Sequence, residues 1–185
     1  MYNDIINKMK LKGFQFEPGL TDEEIINIEK KYEIVFPNSL KEFYKEGLPT
    51  GEPFPNWKDF SEENIKKIKE RIARPYNGLI DDIKENQFWG ADWPKYNSID
   101  EKIKYFDDLY NQAPKLIPIA YSRYIISTPK TDDPAILSVH DSDIIVYGNN
   151  LKEYLENEFF LDHDNRHKRE FLSHMGKWID IMDSY

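Results

Sequence analysis

Residues 115–150 read KLIPIAYSRYIISTPKTDDPAILSVHDSDIIVYGNN, and no other part of the chain constrains the architecture as tightly. Four short runs rich in Ile, Val, Leu and Tyr occupy Leu116–Ala120, Arg123–Ser127, Ala135–Val139 and Asp143–Tyr147, separated by clusters of Ser, Asp, Pro and Lys. β-Branched and aromatic residues suit a pleated, buried surface, and turn formers at this spacing mark strand ends. Connections so short join antiparallel neighbours, because a parallel crossover needs a dozen residues or more. The stretch is expected to be an antiparallel β-meander within a sheet of about four to six strands.

On either side the period is helical. Ile5, Ile6 and Met9 predict a short first helix ending before Gly13. Thr21 with Glu24 spells a capping box, in which the threonine side chain and the glutamate three residues on satisfy each other's backbone N–H groups. Ile25, Ile28 and Tyr32 then share one face. Leu40, Phe43 and Tyr44 form a second apolar stripe after Phe36-Pro37, stopped by Gly47. Pro49 to Trp57, with three prolines and a glycine, reads as loop, pinned to the body by Phe54 and Trp57. A third helix starts at Glu62 and Glu63, buries Ile65, Ile68 and Ile72, and is expected to stop before Pro75. A separate helical turn is expected around Leu79–Asn86, then a helix capped by Ser98 and Glu101 with Ile99, Ile103, Phe106 and Tyr110 inward. Beyond the meander, Asn150 and Glu153 cap a helix bearing Leu151, Tyr154, Leu155 and Phe159. After the polar break 162–169, Phe171, Leu172, Met175, Trp178, Ile179 and Met182 outline a final amphipathic helix. Helices, an antiparallel sheet, then helices make the fold class α+β. One domain is expected over 1–185, with helical additions at its N-terminus (1–19) and C-terminus (162–185).

The chain has 185 residues, no cysteine and a formal net charge of −9. Disulfides, Cys-ligated zinc and a thiol nucleophile are excluded. Aromatics make up 15% of the residues, too many for a disordered acidic tail. No apolar run reaches membrane-span length and the first dozen residues lack a signal-peptide core, so a cytoplasmic protein without membrane contact is expected. Residues 81–108 hold eight carboxylates against four lysines, and 129–162 hold eight against two. These two stretches supply the negative excess of the whole chain. The basic residues are 20 lysines and only five arginines, a poor set for base or phosphate recognition, so direct nucleic-acid binding is not expected. Such acidity serves either solubility or a basic partner.

No phosphate-binding loop, zincin helix, nucleophile elbow or calcium loop occurs. His163, His167 and His174 fall roughly on one helical face, a pattern that suits either a transition-metal site or solvated histidines. The surrounding segment offers no apolar shell to orient ligands, so no metal and no cofactor are expected. His140-Asp141-Ser142-Asp143 has acid–base chemistry in its composition but is also what a hairpin turn requires. Adjacent pairs at Asp81/Asp82, Asp107/Asp108 and Asp132/Asp133 diverge by about 100° on a helix and make no dyad. Trp89 and Trp93 suit either desolvated interface anchors or plugs of the core. The chain reads as a binding protein rather than an enzyme. The lone cation of the β-runs, Arg123, is expected to pair with a carboxylate such as Asp143.

Several segments together resemble one family, the SUKH superfamily, named partly for fungal regulators of cell-wall synthesis. They are Leu20-Thr-Asp-Glu-Glu-Ile25 with Glu29; Phe36-Pro37 with Leu40, Phe43 and Tyr44; Leu48-Pro49-x-Gly51 with Phe54-Pro-Asn-Trp57; and Phe88-Trp89 with Trp93. The C-terminal half is the most similar: Ile117-Pro118-Ile119, Arg123-Tyr124-Ile125, Asp133-Pro134-Ala135, Ser138-Val139 with Asp143-Ile-Ile, and Tyr147-Gly148-x-x-Leu151-x-x-Tyr154. Order and spacing carry the resemblance over Leu20–Leu161. Two positions depart from the bacterial subgroup's pattern: Ser122 where histidine is common, and Pro94 where glycine is usual. The resemblance implies an α+β domain without catalysis or cofactor. It also implies a bacterial immunity protein that binds a cognate secreted polymorphic toxin, often a nuclease, or else a regulatory and scaffold module of protein interaction. On that basis the candidate partner-binding residues are the carboxylates Asp81, Asp82, Asp92, Asp132, Asp133 and Asp141, with Trp89, Trp93 and Tyr121 as aromatic anchors.

Overall fold

The computed structural model describes residues 1–160 and 172–182. Helix α1 (Asn3–Leu11) buries Ile5, Ile6 and Met9, and a short strand β1 (Gln15–Glu17) follows. Helix α2 (Asp22–Tyr32) opens on the expected box: the Glu24 N–H donates to Thr21 Oγ1 at 3.2 Å and the Thr21 N–H to Glu24 Oε2 at 2.7 Å. Helix α3 (Asn38–Glu46) buries Leu40, Phe43 and Tyr44. The next residues correct the sequence reading, because Leu48–Thr50 is a strand, β2, paired antiparallel with β1 with Phe16 opposite Pro49. A two-stranded ribbon leaves each strand one free edge, where the missing N–H of a proline is tolerated. The loop beyond is pinned as expected: Trp57 is fully buried and its indole N–H donates to Tyr44 Oη at 3.2 Å.

Helix α4 runs unbroken over Glu62–Lys84, with Pro75 inside it. Proline cannot donate to the carbonyl four residues back, which here belongs to Arg71. The Tyr124 hydroxyl donates to that carbonyl at 3.1 Å and replaces the missing bond. The expected break at Pro75 therefore does not occur, and the turn expected at Leu79–Asn86 is the end of the same helix. Burial raises the Tyr124 phenol to about 12, so it remains a donor at neutral pH. Tyr124→Phe is expected to lose about 1–2 kcal/mol. Pro75→Ala, which restores the N–H, should recover most of that loss in the double variant, as read by urea unfolding.

Helix α5 (Ile99–Gln112) starts at Ser98, whose Oγ accepts from Asp100 N–H rather than joining Glu101 in a box. Its inward face is correspondingly turned: Phe106 and Leu109 are buried, Ile103 and Tyr110 partly so, and Ile99 is exposed. The meander then appears as read, with β3 (Leu116–Ala120), β4 (Arg123–Ile126), β5 (Ile136–His140) and β6 (Asp143–Gly148) in antiparallel order. Helix α6 (Leu151–Phe160) is capped by Asn150, whose Oδ1 accepts from Glu153 N–H at 2.8 Å.

Alternation along the strands builds two cores on one sheet. Ile117, Ile125 and Ile136 face α1, α2, α3 and α6, around Phe43, Tyr44, Trp57 and Tyr154. Leu116, Tyr124, Ile126, Leu137 and Val146 face the second half of α4 and α5, around Phe88, Trp93 and Phe106. The second core is closed by the C-terminal segment, which is not the single long helix expected: a 3-10 turn at Ser173–Met175 precedes a short α7 (Lys177–Met182). Met175, Trp178, Ile181 and Met182 are buried while Ile179 is only partly so, and Trp178 Nε1 donates to the Pro114 carbonyl at 2.7 Å. His163, His167 and Phe171 lie outside the described residues.

Candidate interaction surface

The candidate residues fall into three places. The first is where the two hairpin turns of the meander meet α4. Tyr121 and Asp141 both hold left-handed backbone, with φ of 51° and 52°. The Asp141 turn lies against Gly78, where an added Cβ would overlap the Asp141 carboxylate and stand 3.0 Å from its Cα. One turn further along the helix, Asp82 Oδ2 accepts from Ser142 N–H at 2.9 Å and clamps the same turn. Asp82 is thereby committed to holding the hairpin, whereas Asp81 beside it is exposed, with its carboxylate 3.4 Å from the Lys84 ammonium. Asp141 is itself exposed, so the turn displays its carboxylate while its backbone is fixed from below. The structural reading of His140–Asp143 as turn chemistry accounts for this geometry.

The second place is the connection from α4 to α5. It begins where the Asp82 carbonyl accepts from the Gln87 and Phe88 N–H groups. Trp93 is buried against Phe88, Phe106 and Tyr105, its ring so close to Gly90 that a Cβ there would lie 2.7 Å from it. Of the two alternatives, Trp93 is a plug of the core. Trp89 is half-buried, packs edge-on to Trp93 at 5.1 Å, donates to the Pro94 carbonyl and carries the Lys102 ammonium 5.4 Å above its ring. Asp92 between them is exposed.

The third place is separate. Asp132 lies at the start of α3, accepting from Asn38 Nδ2 at 2.5 Å and, through its carbonyl, from Ser39 N–H at 2.9 Å. Asp133 Oδ1 accepts from the Leu151 N–H at the start of α6 at 3.0 Å. The first N–H groups of a helix are otherwise open; at α6 a carboxylate oxygen takes one and opposes the helix dipole, at α3 the Asp132 backbone carbonyl takes one, and the pair ties two helices to the β4–β5 connection.

Arg123 does not pair with Asp143, which is exposed at the start of β6. Its Nε donates to Glu158 Oε2 at 3.0 Å, Nη1 donates to Ser122 and Ser138, and the guanidinium stacks 3.8 Å over Tyr147. Burial works against its charge, but Glu158 and Tyr147 outweigh that and raise its pKa above the ordinary arginine value. The position is structural, as read, with a different partner.

His174, the one histidine of the expected trio among the described residues, is half-buried, and its Nε2 accepts the Ala135 N–H at 3.0 Å. Burial and the nearby Lys130 hold its pKa below the ordinary value of 6.5. A histidine with a lowered folded pKa stabilises fully above its unfolded pKa, and this contribution is lost as pH falls through the folded value. Acidification from pH 7.5 to 5 is therefore expected to loosen the C-terminal segment, with faster exchange of the Ala135 amide. His174→Gln, which keeps an acceptor without a titrating group, should remove that component.

Among the described residues no group of three or more His, Asp or Glu is placed to hold a metal, and no helix is long and apolar enough to cross a membrane. Sequence reading missed the basic wall beside Tyr121, formed by Lys67, Arg71 and Arg74 of α4. Its signal was available in the i, i+4, i+7 spacing of three cations on a helix.

The structure thus defines an α+β protein with a helix-covered antiparallel meander and an exposed polar rim at its hairpin turns. The chain belongs to the SMI1 / KNR4 family (SUKH-1), whose family model matches residues 19–157. No curated protein and no solved structure matches the chain.

Proposed function

We propose that this chain is a bacterial immunity protein, which acts in the cytoplasm by binding a cognate secreted toxin and blocking it, without catalysis of its own. The observation that carries the reading is that Asp81 and Asp141, at the α4–hairpin junction, keep exposed carboxylates, as does Asp92 on the connection that leaves the same helix, which also bears half-buried Trp89. A nuclease needs an electropositive cleft to hold phosphates, and an acidic surface steers toward such a cleft and excludes its substrate. Family membership supports an interaction protein and is equally compatible with a regulatory scaffold.

Co-expression with the toxin encoded beside the gene tests it. The wild type should restore growth and co-purify with the toxin. The combined variant Asp81→Lys, Asp92→Lys, Asp141→Asn should slow association at least about tenfold at low salt and flatten the salt dependence. Asparagine tolerates the left-handed backbone at position 141, so the turn survives that change. Absence of rescue and of a complex would favour the scaffold reading.

A further inference from the structure

The middle of α4 opposes the acidic character of the rest of the chain. Lys67, Arg71 and Arg74 stand on one helical face, opposite the loop Gly51–Asn56. Helix and loop enclose a cleft of about 510 Å³. Through Glu52, Arg71 and Arg74 it runs into a second of about 420 Å³ that ends at Tyr121. Two of the chain's five arginines thus line both clefts of a molecule with net charge −9.

The two arginines are used differently. Arg71 holds the loop, donating from Nη1 to the Pro53 carbonyl and from Nη2 to Glu52 Oε2, both at 2.9 Å. The Glu52 side chain is 87% exposed, so a carboxylate already rests on this wall from the solvent side. Arg74, one turn on, is exposed and has no hydrogen-bond or ion-pair partner among the described residues. Beside it, Tyr121 is 53% exposed and held at a φ of 51°. Left-handed backbone is costly for a bulky residue, and turn positions of this kind ordinarily take Asn, Asp or Gly, as the sister turn does with Asp141. An exposed ring gains little packing in return. Strain without a packing gain points to function.

We infer that this cleft is a docking surface for an exposed acidic segment of a partner protein. One carboxylate of the segment takes Arg74 as Glu52 takes Arg71, and an adjacent apolar side chain lies on the Tyr121 ring. The guanidinium fork matches a carboxylate in two-point geometry, and Tyr and Arg are the residues that dominate protein interfaces. Long polyanions fit less well, because Asp81 and Asp141 flank the same stretch of helix and repel an extended run of phosphates. The inference rests on the protein binding another protein, and does not require that partner to be a toxin.

The test uses a fluorescein-labelled heptapeptide of alternating glutamate and leucine, read by anisotropy on the full chain at low salt. Binding should weaken about tenfold or more in Arg74→Glu and in Tyr121→Gly, and a glutamine-for-glutamate peptide should not bind. Tyr121→Gly relieves the turn, so it should melt at a higher temperature than the wild type while losing the peptide, which a structural tyrosine would not do. Three results would overturn the inference: unchanged binding in Arg74→Glu, equal competition by an oligonucleotide of matched charge, or a wild-type dimer in sedimentation that Arg74→Glu dissolves, which would make a second copy the occupant. No toxin enters these measurements, so the outcome is independent of the co-expression assay.

Discussion

Arg123→Ala is expected to destabilise the fold by about 3–5 kcal/mol, the range for removing one partner of a buried ion pair. The Arg123 side chain is 16% exposed and that of Glu158 9%, so truncation leaves a carboxylate on α6 with little water to replace the lost cation. The hydroxyls of Ser122 and Ser138 lose their donor at the same time, and Tyr147 loses its stacking partner. For a chain of this size the melting temperature should fall by roughly 10 °C. Arg123→Lys should recover only part of this, since an ammonium cannot span Glu158 and two serines as the planar fork does. Joint replacement of Arg123 and Glu158 by Met and Leu should be much less damaging than the single truncation, because the cost lies chiefly in the orphaned charge. Equal damage from the single and joint variants would show that the pair is not what holds α6 to the sheet.

Gly19→Ala is expected to be comparably severe, about 3 kcal/mol, although the added group is one methyl. A Cβ at position 19 would overlap the Lys45 carbonyl oxygen and lie 2.8 Å from that of Tyr44. These are backbone atoms at the end of α3, and the neighbouring Leu20 N–H donates to the Tyr44 carbonyl at 2.9 Å. The chain before α2 must move away from α3, breaking that bond. Gly47→Ala is the control: its nearest neighbours are side-chain atoms of Ile6 and Phe16, both at 3.3 Å, which need give way by only a few tenths of an ångström, and the expected loss is under about 1 kcal/mol. Urea unfolding of the two variants side by side separates backbone collision from a general intolerance of added volume.

The helices and strands that could be read directly are those whose information is local. The capping box at Thr21, the stripes at Ile25/Ile28/Tyr32 and Leu40/Phe43/Tyr44, and all four strands of the meander lie where periodicity placed them. The elements that were misread depend on a distant partner. Pro75 sits in mid-helix because a hydroxyl 53 residues from Arg71 takes the vacated carbonyl. Leu48–Thr50 is a strand because Gln15–Glu17 lies beside it. Among the candidate site residues, composition located the acidic stretches but not their employment. Asp82 and Asp133 are drawn into clamping a hairpin and a helix start, Trp93 is absorbed by the core, and Asp81, Asp92, Asp141 and Tyr121 stay on the surface.

By itself the amino-acid sequence determined the α+β class, the meander, the family and the absence of cysteine chemistry, since all of these reside in residue type and short-range spacing. Only the tertiary structure decided that Arg123 answers Glu158, that two hairpin turns abut α4, and that Arg74 stands exposed beside Tyr121 without an ion-pair partner among the described residues. A side chain's period reports which face of its own element it occupies. Which group it meets there is settled by packing against segments tens of residues away, and that is where acidic residues became clamps or exposed surface.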